Sequence, residues 1–85
     1  MATAEFFSSD VRITKTGDDS YHVVVDSRFQ QIDERVDGAQ LLGMYEGRSL
    51  VNKQGNPTTA RAILQEFDTS EIGQEIVVTH VERVA

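Results

Sequence analysis

The stretch Val11-Arg12-Ile13-Thr14-Lys15-Thr16-Gly17-Asp18-Asp19-Ser20-Tyr21-His22-Val23-Val24-Val25-Asp26 decides the fold class of this chain. Val11 to Lys15 alternate apolar and polar side chains, the period of two that lets a strand bury one face. Gly17-Asp18-Asp19-Ser20 supplies residues that tolerate positive φ or bond their own backbone in a turn. Tyr21 to Asp26 follows with three successive valines, whose stiff χ1 suits a pleated strand. The stretch reads as a β-hairpin.

Downstream of the hairpin, Phe29, Ile32 and Val36 fall at i, i+3 and i+7. With Ser27 as a cap and Gly38 beyond the end, residues 28–37 read as a short amphipathic helix, favoured over a continuation of the strand through Phe29 into loop. Gln40 to Glu46 is short and apolar and reads as a strand, with Gly43 as a bulge or bend and Glu46-Gly47 as the turn into a second short strand, Arg48 to Asn52. The strongest helix signal follows. Asn56 suits an N-cap, Pro57 suits the first helical position, and Ala60, Ile63, Leu64 and Phe67 form one apolar stripe, so a helix is expected at about 57–67. Glu75 to Val84, rich in Ile76, Val77, Val78 and Val81, reads as a long strand, apolar on both faces at its start and therefore central or covered.

These segments imply an α+β fold: an antiparallel sheet of four to five strands with one main helix packed on a face, and a small open β-barrel as the alternative. At 85 residues the chain builds a single core, taken as one domain over 10–85 with residues 1–9 expected to fray. Phe6 and Phe7 are costly to leave side by side in water, so at least one of them is expected to dock on the domain or on a partner.

Composition narrows the function. The chain has no cysteine, which removes disulfides, thiolate zinc sites and Cys nucleophiles. No apolar run is long enough to cross a bilayer, and the start lacks the basic and apolar regions of a secretory signal, so no membrane association and a cytoplasmic location are expected. Fourteen Asp and Glu against eight Lys and Arg give a formal charge of −6. That balance argues against direct nucleic-acid binding, which needs clustered Lys and Arg. The charge is uneven, because residues 1–47 carry nine acids and four bases while residues 48–85 carry five and four.

Phosphate loops, dinucleotide fingerprints, nucleophile elbows, zinc helices and calcium loops are missing from the sequence. His22 and His80 both lie in expected strands and could become neighbours, with Asp26, Glu82 or Asp10 completing a metal or acid-base site. Without a ligand spacing, they read better as strand histidines. No catalytic residue, metal or cofactor is assigned.

The expectation is a small acidic, non-enzymatic interaction protein, an adaptor or inhibitor, that meets a protein partner with a basic surface. Asp18, Asp19, Asp33, Glu34 and Asp37 form the charged rim, and Phe6, Phe7 and Tyr45, with Phe29 and Tyr21, are the candidate anchors. Such a surface could imitate nucleic-acid phosphates. Small acidic phage-encoded inhibitors, anti-CRISPR proteins among them, work in this way, and the chain resembles them in size and charge alone. A homodimer through a β-branched edge strand is a related expectation. The alternative from another class is a small oligomeric enzyme or ligand-binding module using His22, His80, Tyr45 or Arg48.

Overall fold

The structure, a computed structural model of the chain, describes residues 6–83. The expected hairpin forms from β1 (Phe6–Gly17) and β2 (Ser20–Asp26). Val11 lies opposite Val25 and Ile13 opposite Val23, which puts both apolar rows on one face. β3 (Gln31–Val36), α1 (Gly38–Tyr45), β4 (Ser49–Val51), β5 (Pro57–Thr58), α2 (Ala60–Asp68) and β6 (Glu75–Arg83) complete the chain. The six strands make one open antiparallel sheet in the order β3-β2-β1-β6-β4-β5. The fold is therefore α+β with six strands and two helices, rather than four to five strands and one main helix, and β3 and β5 are separate edges of an open sheet rather than a closed barrel.

Both helices lie on one face. The odd positions of β1 and β2, Val11, Ile13, Tyr21, Val23 and Val25, bury against Leu41 and Tyr45 of α1 and against Ala60, Ile63 and Phe67 of α2. Val78 and Leu50 extend that layer across β6 and β4. The even positions of β1 face away from the helices, so Asp10, Arg12 and Thr14 belong to an uncovered face. Phe6 to Ser9, within the segment expected to fray, pair with Arg83 to His80. Residues 1–5, and Val84 at the end of the expected last strand, fall outside the described residues.

Three local expectations are corrected. Residues 28–37 form a turn and β3 rather than a helix. Ser27 does not cap: its Oγ accepts from the N–H groups of Phe29 and Gln30, and its own N–H bonds the Gln30 carbonyl, which turns the chain back on itself. Ile32 and Val36 then face inward at strand spacing. The intervening Glu34 shares their face and stays exposed because β3 is an edge.

The expected strand at 40–46 is α1. Asp37 accepts from the Gln40 N–H while the Gln40 side chain accepts from the Asp37 N–H, a reciprocal capping box, and Leu41 and Tyr45 share the inward side of the helix. Gly38 approaches its surroundings closely. Its N–H donates to Asp19 Oδ1 at 3.0 Å, and a Cβ there would stand 2.8 Å from that oxygen.

The second helix begins at Ala60 rather than Pro57. Thr59, and not Asn56, is its N-cap, accepting from the Ala62 N–H. Asn52 explains the shift. Its side chain accepts from Gln54 and Asn56 and its backbone bonds Asn56, which closes a β4–β5 hairpin and draws Pro57 into an edge strand where no amide hydrogen is needed.

Lys15 is the one lysine of the inward layer. Its stem is buried, and its ammonium donates to the Phe67 carbonyl at 2.7 Å and the Ser70 carbonyl at 2.9 Å, satisfying the C-terminal end of α2. Lys15→Met keeps the stem and removes the donors, so urea denaturation should show a loss of about 2 kcal/mol. Phe67 is fully buried, and Phe67→Ala should cost about 3–5 kcal/mol in the same experiment.

Candidate functional site

The residues expected to form one binding surface are sorted by the sheet into separate places. β1 carries the phenylalanines at one end and the Asp18-Asp19 turn at the other, about 36 Å apart at the usual rise of a strand. At the turn end, Asp19 accepts from Gly38 and Asp37 caps α1, so both carboxylates sit at one helix N-terminus, where the backbone dipole favours negative charge. Asp68, in the last turn of α2, joins them. Burial raises the pKa of the Tyr21 hydroxyl above its ordinary value, and the charges of Asp19 and then Asp68 add to that rise. Three chain segments thus bring Asp18, Asp19, Asp37 and Asp68 to one end. Asp68 is the member that sequence reading missed, since its approach depends on how α2 lies across the sheet.

Asp33 and Glu34 do not join this group as a pair. They are neighbours on a strand and face opposite sides: Asp33 bonds His22 on the uncovered face, while Glu34 shares the face of Ile32 and Val36. Arg35 lies beside Asp19 and Asp37 at the rim of the acidic end.

The other end is aromatic. Phe6 is 63 % exposed and Phe29 59 % exposed. Phe7 faces the helix side, stacked on Phe29 at 4.9 Å and edge-on to His80 at 6.3 Å. One of the two adjacent phenylalanines therefore docks on the domain. Tyr45, expected as an exposed anchor, is buried with its ring edge-on to His80 at 5.7 Å.

His80 pairs with Ser9 and Leu50 on the helix side, and His22 pairs with Thr14 on the uncovered face. β1 separates their strands and the two rings face opposite ways, so the histidines do not meet. Among the described residues, no group of three His, Asp or Glu side chains could hold a metal ion. What does gather around His80 is Tyr45, Phe7 and Glu82, whose carboxylate is 4.0 Å from His80 Nε2 and 3.1 Å from Arg48. Both His80 nitrogens and the Tyr45 hydroxyl are buried without a hydrogen-bond partner among the described residues. Burial raises the Tyr45 pKa as well.

A phenol with no partner gains the fold nothing by its oxygen. Tyr45→Phe should leave stability unchanged or raise it by up to about 1 kcal/mol. Tyr21 and Tyr45 both hold their protons above the ordinary value of 10.0 in the folded chain. Through these two groups the folded state binds more protons than the unfolded state above pH 10, so their contribution to stability is fully present below that pH and is lost as it rises further, and ultraviolet titration should show both phenols ionising late. No protein family, curated protein or solved structure matches the chain.

Proposed function

We propose that this chain is a small non-enzymatic interaction protein of the cytoplasm whose acidic end docks on the basic surface of a protein partner. The observation that carries the reading is the convergence of Asp18, Asp19, Asp37 and Asp68 from three segments on one end, while the nearby Lys15 spends its ammonium on the carbonyls of Phe67 and Ser70. Negative potential of this kind steers a basic partner during encounter and fixes its orientation. Where that surface normally holds phosphates, the chain acts as an inhibitor by imitation; otherwise it is an adaptor.

Two of the four carboxylates also cap α1, so the test uses the other two. Among the described residues, the side-chain carboxylates of Asp18 and Asp68 have no hydrogen bond or ion pair. The double variant Asp18→Lys, Asp68→Lys should stay folded and bind the captured partner at least about tenfold more weakly, with wild-type binding falling as salt rises. Asp33→Lys, on the uncovered face, should leave binding intact. Equal binding by the double variant and wild type, measured by calorimetry, overturns the acidic-end reading.

A second reading, a small ligand-binding or catalytic module, is favoured by the buried polar atoms of His80 and Tyr45 that lack partners. It moves the site to the helix side of β6 and leaves His22 out. Turnover or saturable binding of a small molecule by the purified chain, lost in His80→Ala and kept in His22→Ala, is the result this reading requires.

A further inference from the structure

The exposed edges of the sheet at β3, β5 and β6 differ in how they are protected. β3 presents Asp33, Glu34 and Arg35, and β5 is two residues long with Pro57 in it; charge, short length and proline all discourage pairing with another chain. β6 has a third edge. β4 covers only Thr79, His80 and Val81, which leaves residues 75–78 without a strand on that side. The uncovered segment contains Ile76, Val77 and Val78, and apolar β-branched residues of this kind invite pairing.

The direction of the free backbone groups follows from two bonds at the start of β6. Gly73, at φ +98°, donates to the Lys15 carbonyl, and the Lys15 N–H donates to the Gln74 carbonyl. That bulge fixes the parity of the ladder, so Ile76 and Val78 direct their N–H and C=O groups at β1, and Glu75 and Val77 direct theirs the other way. Among the described residues, no backbone bond joins Glu75 or Val77 to the β4–β5 hairpin or to α2. These groups open into a groove of about 190 Å³ lined by Asn52, Lys53, Ile63, Glu66, Ile76 and Val78. A volume below about 300 Å³ is small for an organic ligand and suits a side chain of an extended segment.

We propose that the free edge of β6 at Glu75 and Val77 is a strand-addition site for an extended, basic peptide segment of a partner protein. A strand laid in line with β4 exchanges hydrogen bonds with Glu75 and Val77. Its residue opposite Ile76 points to the helix side, onto Ile63 and Ile76, so that position is apolar. Its two neighbours point to the uncovered face, where the carboxylates of Asp10, Asp26 and Glu75 outnumber the cations Arg12 and Lys53 even though Arg12 lies 4.0 Å from Glu75, and Glu66 adds negative charge at the helix-side rim. A second copy of the chain fits this charge poorly, since two Glu66 and two Glu75 would converge between molecules that each carry a net charge of −6. The first described residue, Phe6, lies at the far end of β6 opposite Arg83. The site is distinct from the Asp18 and Asp68 surface, and neither proposal depends on the other.

The test is titration of the isotope-labelled full chain with an acetylated, amidated Lys-Val-Lys-Val-Lys peptide, followed by amide NMR and hydrogen exchange. In the free chain the Val77 N–H should exchange at least tenfold faster than those of Ile76 and Val78. Added peptide should shift Glu75, Val77 and Ile63 saturably and slow Val77 exchange at least tenfold. Glu75→Lys should weaken the response at least fivefold with the remaining spectrum unchanged, and a peptide N-methylated on its backbone should give none. The proposal is overturned by no shift at millimolar peptide, by shifts confined to Asp18, Asp19 and Asp68, by slow Val77 exchange in the dilute free chain, or by a dimer that buries this edge unaided.

Discussion

The structure depends on the alternation of a single strand. β1 lies between β2 and β6, and its inward residues Ser9, Val11, Ile13 and Lys15 are all buried. Only one face of the sheet carries helices, so a slip of one residue would turn this row to water and place Asp10, Arg12 and Thr14 against Phe67 and Leu41. The register is held from both sides by β-branched partners, Val25 and Val23 in β2 and Val78 and Ile76 in β6. Lys15 ends the row as a cation whose partners are the Phe67 carbonyl in the last turn of α2 and the Ser70 carbonyl just beyond it, and so couples the sheet register to the position of that helix.

The same constraint builds the acidic end. α1 enters the fold beside the β1–β2 turn, and its first N–H groups need acceptors that no helix supplies from within. Asp19 and Asp37 meet that need. The close approach of Asp19 to Gly38 means that a side chain at that position would push the Asp19 carboxylate off its hydrogen bond. A concentration of carboxylates that looks like a recognition surface is thus half structural, and only Asp18 and Asp68 are left for a partner without cost to the helix. Charge and capping occupy the same place because a helix N-terminus stabilises carboxylates.

Edge protection follows a comparable division. The ends of the sheet are blunted by charge at β3 and by proline at β5, whereas the step between β4 and β6 is neither. That step exists because Asn52 closes the β4–β5 hairpin early and takes the chain away from β6 after Val51. The opposite end of the molecule displays Phe6 and Phe29, while Phe7 and Tyr45 are drawn inward around His80.

The hairpin of β1 and β2, the apolar stripe of α2 and the long last strand were legible in the residues, because a period of two or of 3.6 with consistent turn chemistry has one reading. Residues 27–46 were not legible. Ile32 and Val36 satisfy a strand as well as a helix, and Leu41 with Tyr45 in an apolar run satisfies a helix as well as a strand. The Asp37 and Gln40 capping box was the local signal that separated them. The sequence by itself determined an acidic α+β fold without thiol chemistry and with a central C-terminal strand. Which carboxylates gather, which phenylalanine is left in water, that His22 and His80 face opposite ways, and that β6 keeps an open edge were decided by the tertiary structure. Each depends on which face of the sheet the helices cover and on where the neighbouring strands stop, and no single segment carries that information.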